Sequence, residues 1–123
     1  MFLFTYIQFV AIVDPLVDKA RLVLQTRKSS SYGNMYSECV IYPTLEEFLR
    51  VKSADAVLIG IPPVFRGSLE RDVEVKCLEA GLHCFIEKPI SVTEPNEFAK
   101  YCDKLVKTQK QKNAIASVGY MFR

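Results

Sequence analysis

The chain has 123 residues and a net charge of +2, with 50% of its residues hydrophobic and 24% charged. That length gives one domain at most, with a single core. So small a charge gives no reason to expect nucleic acid or an acidic partner. The basic stretch Lys104, Lys107, Lys110 and Lys112 recurs at helical spacing and reads as a solvated face.

Met1 to Val13 is strongly apolar, but it has no basic leader and no small-residue cleavage site. Asp14-Pro15 interrupts it far short of a membrane span, so residues 1–8 read as an apolar leader and the chain is expected in the cytosol. Phe9 to Val13 is a β-rich run ending in that Asp-Pro turn, and a helix follows with Leu16, Ala20, Val23 and Leu24 on one face. Arg27 and Lys28 suit its carboxyl end. After a polar loop over 29–34, Cys39 to Tyr42 is the next strand. Thr44 and Glu47 then have the spacing of a capping box before a short helix.

Ala54 to Ile61 reads as a buried strand stopped by Pro62-Pro63. Leu69, Val73, Cys77 and Ala80 mark the helix after it, which Gly81 closes. Cys84, Phe85 and Ile86 form a strand expected to be buried on both faces, and Glu87-Lys88-Pro89 stands at its carboxyl end. Pro89 holds Lys88 extended and makes a cis peptide between them possible, with trans the default. Thr93 reads as an N-cap with Pro95 in the first turn. Phe98, Tyr101, Cys102, Leu105 and Val106 give that helix an apolar stripe, which is core packing. Ile115 to Tyr120 is the last strand.

Strands and helices alternate at crossover length, which predicts an α/β fold with a parallel sheet and helices on its faces. Cys39, Cys77, Cys84 and Cys102 have no C-x-x-C spacing and read as free thiols rather than a disulfide or zinc site. His83 is the sole histidine and reads as a surface residue.

Ligands of open parallel sheets bind at the carboxyl ends of strands. Asp14, Pro62-Pro63, Glu87-Lys88-Pro89 and Gly119-Tyr120-Met121-Phe122-Arg123 all fall at such ends. Together they make the chain from about Phe9 to Arg123 resemble the nucleotide-binding domain of the glucose–fructose oxidoreductase/inositol dehydrogenase (Gfo/Idh/MocA) family. The resemblance implies a Rossmann-like domain over residues 9–123 that binds NAD(P). It implies that Asp14 contacts the adenosine ribose, favouring NAD over NADP, and that Pro62 and Pro63 border the cofactor. Lys88 becomes the catalytic residue beside nicotinamide and substrate, with Glu87 orienting it or contacting the cofactor. The substrate class is a sugar- or cyclitol-type alcohol.

No G-x-G-x-x-G occurs, and the five glycines are scattered. Matched to the family, the chain begins at the second strand and stops where the substrate domain would start. It is therefore expected to be incomplete, lacking the first βα unit and the general base, and inactive alone. The gap in mid-sheet would be covered by residues 1–7, or closed by direct pairing of the strand ending at Asp14 with the one over 54–61. Two rival readings are a non-catalytic nucleotide-binding or interaction module, self-associating through its sheet, and an unrelated doubly wound domain such as a receiver. Receivers need clustered acids, and only Asp14 and Glu87 qualify. Neither a metal nor a membrane partner is expected.

Overall fold

A computed structural model describes residues 7–51 and 53–120. The leader over 1–6 and the closing Met121-Phe122-Arg123 lie outside the described residues. The chain divides into two compact units, residues 1–54 and 55–123, each built on its own parallel sheet.

In the first unit, β1 (Ala11–Val13) pairs with β2 (Val40–Tyr42), Ile12 opposite Ile41. Between them run α1 (Val17–Lys28) and a 3-10 turn over Gly33–Tyr36. Asp18 in the first turn of α1 and Arg27 and Lys28 in its last complement the helix dipole. Only Ala20 and Leu24 of the expected face are buried. Leu16 precedes the helix in the Asp14 turn, and Val23 is exposed, because a two-stranded sheet offers a narrow surface to cover. Phe9 stacks on Tyr36 at a centroid distance of 4.7 Å. One half of the expected capping box forms, that from the cap hydroxyl to the Glu47 amide. Thr44 Oγ1 accepts the Glu47 amide at 3.2 Å and donates to Glu47 Oε1 at 3.3 Å, opening α2 (Leu45–Val51). Phe48 of α2 is buried edge-on against Tyr42.

The second unit has the strand order β3 (Ala56–Ile59), β4 (His83–Ile86), β5 (Ala116–Val118), all parallel, with β4 central. Helix α3 (Val73–Glu79) connects β3 to β4, and α4 (Pro95–Lys112) connects β4 to β5. Gly81 closes α3 with φ +82°, the left-handed conformation that glycine adopts without a Cβ penalty. Its amide reaches Leu78 O, and the next amide reaches Cys77 O. Val75, Cys77 and Leu78 of α3, Leu82, Cys84 and Ile86 around β4, and Tyr101 and Leu105 of α4 form the core.

Several expectations change, among them the burial of β3, of which only Ile59 is in the core. β4 is buried on one face only: Cys84 and Ile86 point into the core, whereas Phe85 is 41% exposed beside its β3 neighbour Leu58, 68% exposed. A three-stranded sheet whose packed helices take one side leaves the alternate side chains open. Thr93 does not cap α4, because its hydroxyl is engaged by Ser91 Oγ at 2.8 Å; Glu94 takes the N-cap position and Pro95 the first turn. The Lys88–Pro89 peptide is cis, as the small trans preference before proline readily allows. Finally, each sheet is complete within its own unit, β1 pairing with β2 and β3 with β4.

Candidate functional site

Asp14 and Lys88 fall in different units, and each site is described within its own. In the first, the Asp14 amide continues the ladder to Tyr42 O at 3.0 Å, so the residue is the immediate carboxyl end of β1. Its Oδ1 accepts the Leu16 amide at 2.8 Å. That is an Asx turn, which explains Asp-Pro locally and fixes the carboxylate's direction. The side chain is half-buried, and Oδ2 has no partner among the described residues. A depression lined by Pro15 to Lys19 adjoins it. Another, of about 220 Å³, is lined by Phe9, Arg27, Ser30, Tyr32, Met35 and Tyr36, and contains none of the expected site residues.

In the second unit, parallel strands bring three chain segments to one edge. Beyond β3, Pro62 and Pro63 start a 3-10 turn (Pro63–Phe65), with Pro62 O accepting the Phe65 amide at 3.0 Å. Beyond β4, the Glu87 amide reaches back to Ile59 O at 2.9 Å, and Glu87 and Lys88 emerge exposed. Glu87 Oε2 accepts the Lys88 backbone amide at 3.1 Å. The carboxylate thus holds the lysine's backbone and makes no ion pair with its ammonium, whose Nζ has no partner among the described residues. Beyond β5, the Gly119 amide bonds Ile86 O at 2.9 Å.

Under this edge lies a buried polar cluster absent from the sequence reading. Arg66 is 1% exposed, Glu74 and Tyr101 both 0%. Arg66 Nη1 pairs with Glu74 Oε1 at 3.0 Å, while Glu74 Oε2 accepts the Tyr101 hydroxyl and the Gly67 amide. Burial, then the neighbouring Glu74 carboxylate, pushes the Tyr101 phenol well above its ordinary pKa. One signal of the cluster was available: Glu74 shares the α3 stripe with Cys77 and Leu78, and an acid on an apolar stripe requires a buried partner. No group of three or more metal-binding side chains occurs among the described residues. All four cysteines are free thiols, three of them buried. His83 is exposed and its Nδ1 accepts the Ile115 amide at 2.9 Å, so the ring serves the β4–β5 junction. Lys104 of the basic stretch pairs with Asp72 at 2.8 Å, while Lys107, Lys110 and Lys112 face solvent.

The comparisons agree with this arrangement. Residues 3–120 match the model of the oxidoreductase family with an NAD-binding Rossmann fold, GFO_IDH_MocA. Two uncharacterized proteins of Schizosaccharomyces pombe are 31% and 28% identical over 92% and 95% of this chain. The chain spans only 31% and 30% of their lengths. Among solved structures, a probable dehydrogenase from Thermotoga maritima aligns with TM-score 0.65 and 22% identity, over 89% of this chain and 27% of that one. The WlbA dehydrogenase from Bordetella pertussis, solved with NADH and UDP-GlcNAcA, aligns with TM-score 0.65 and 17% identity, over 90% of this chain and 27% of that one. At such identities these two structures speak for the fold. A family match over nearly the whole length, on parallel strands with the Glu-Lys-Pro segment at their carboxyl edge, makes this chain a member of the Gfo/Idh/MocA oxidoreductase family, within its NAD-binding Rossmann domain.

Proposed function

We propose that the chain is the NAD-binding part of an oxidoreductase acting on a sugar- or cyclitol-type CH–OH group, with Lys88 at the reacting end and Asp14 at the adenosine end. The observation that carries this reading is Lys88 itself: an exposed ammonium, without a partner among the described residues, at the carboxyl end of the central strand, its backbone held by Glu87. The residues fit a dinucleotide at two places. Asp14 offers a pre-oriented carboxylate oxygen to a ribose diol, and a negative charge there repels a 2′-phosphate, favouring NAD over NADP. Lys88 adjoins the nicotinamide and so contributes to NADH binding, and it offers a donor to an alcohol oxygen and stabilises the alkoxide that develops there. Pro62 and Pro63 form the rigid wall beside it. Bound nicotinamide supplies the hydride acceptor. Proton removal from the alcohol needs a further acceptor. No role of that kind is assigned to these 123 residues, which bind nucleotide without turnover on this reading.

The test is an NADH and NADPH fluorescence titration. Asp14→Asn keeps the Asx-turn acceptor and removes the charge; it weakens NADH roughly tenfold, the scale of one charged hydrogen bond, and narrows the preference over NADPH. Equal weakening of both cofactors removes Asp14 from the ribose, and no binding at millimolar NADH ends the cofactor reading. A second reading, a non-catalytic module derived from this family, draws support from the exposed Leu58 and Phe85. A monodisperse monomer at high protein concentration would count against its self-associating form.

A further inference from the structure

We propose that Arg66 is the positioning residue for Lys88: from beneath the site, its guanidinium fixes the path of the chain on both sides of that lysine. The inference rests on the reading of Lys88 given above. A guanidinium has five N–H donors in a rigid planar fork, and here five hydrogen bonds leave it. Nε donates to Ile61 O at 2.7 Å. Nη1 donates to Glu74 Oε1 at 3.0 Å and to Ile90 O at 3.1 Å. Nη2 donates to Glu87 O at 2.6 Å and to Pro89 O at 3.2 Å.

Four of the five acceptors are backbone carbonyls. One belongs to the loop after β3, and three to the loop after β4. Glu87 and Pro89 are the two neighbours of Lys88, so the lysine is bracketed while its own side chain is held by none of the described residues. Glu74 and Tyr101 aim the fork from α3 and α4. Gly67 admits the close approach: at φ +73°, a Cβ there would stand 2.1 Å from Ile90 O. A buried ion pair is commonly no more stabilising than apolar side chains of the same volume. Arg66 and Glu74 thus specify where two loops lie more than they add stability.

Arg66→Lys tests this directly, because an ammonium keeps the charge but has three donors and no fork. Amide hydrogen exchange is read on the cofactor-free chain, and NADH affinity on wild type, Arg66→Lys, Lys88→Met and the double variant. The expected result is exchange at the Glu87 and Lys88 amides accelerated on the order of tenfold, with Leu58, Phe85 and Cys77 unchanged. NADH affinity falls alike in both single variants, and the double variant is no weaker than either, the sign of two residues acting as one. Acceleration spread over β3 and β4, or losses that add in the double variant, would reduce Arg66 to a structural staple and overturn the proposal. Should Lys88→Met bind NADH like wild type, the Lys88 reading fails and takes the positioning role with it. If Lys88→Met weakens binding and Arg66→Lys does not, only the positioning role fails. Glu74→Gln, which removes the ion pair but keeps an acceptor, gives the same reading with less disturbance if Arg66→Lys does not fold.

Discussion

Tyr101 is a buried phenol whose hydroxyl is spent on a buried carboxylate, and that has a consequence for pH. Its pKa in the folded chain lies above the ordinary tyrosine value near 10. The folded state therefore keeps a proton that the unfolded state loses above about pH 10, and stability falls as pH rises past that point. Lys104 acts in the same direction: its hydrogen bond with Asp72 raises its pKa, so its contribution is complete below the ordinary lysine value and lost at higher pH. Urea midpoints measured from pH 9 to 11 should fall more steeply for wild type than for Tyr101→Phe. Parallel slopes would mean that the phenol ionises as freely folded as unfolded. Of the site residues, those at strand ends are legible in the sequence, because proline, glycine and charge after an apolar run mark a boundary locally. Arg66 is not legible: its acceptors at Glu87, Pro89 and Ile90 lie 21 to 24 residues away, and no local pattern carries a pairing at that distance.

Helix α2 shows the opposite case, in which a local rule suffices. Thr44 Oγ1 caps the Glu47 amide that its spacing predicts and also meets Glu47 Oε1, with both contacts inside a single turn. Thr44→Ala should destabilise the first unit by about 1 kcal/mol, seen as a lower urea midpoint. An unchanged midpoint would show that the cap is open in solution. Thr93 has the same residue type and fails as a cap, because Ser91 lies two residues away and captures its hydroxyl. Strand burial failed for a related reason. A run such as Cys84-Phe85-Ile86 is apolar at every position, and periodicity alone cannot separate two covered faces from one.

For the molecule as a whole, the alternation of strands and helices predicts parallel pairing, and every observed strand pair is parallel. Within each unit, β1–β2 and β3–β4–β5 are parallel runs joined by helical crossovers, the connection of doubly wound folds. The distribution of thiols gives a check across both units. Cys39, Cys77 and Cys84 are buried, and Cys102 is half-buried on α4. Burial pushes the thiols of Cys39 and Cys102 up, and the contact between Cys77 and Cys84 pushes the first up and the second down, so accessibility rather than acidity sets the order of reaction. A native thiol titration should show Cys102 reacting first and the other three only on denaturation. Rapid reaction of all four would mean that neither core is closed.

Arg66 grips carbonyl oxygens, which every amino acid carries alike, so its hold is indifferent to spelling. The side chain of Ile90 can be rewritten, reshaping whatever lies beside Lys88, without removing the carbonyl by which Arg66 holds the loop. A lineage built on this device inherits the position of its lysine and stays free to change the company the lysine keeps.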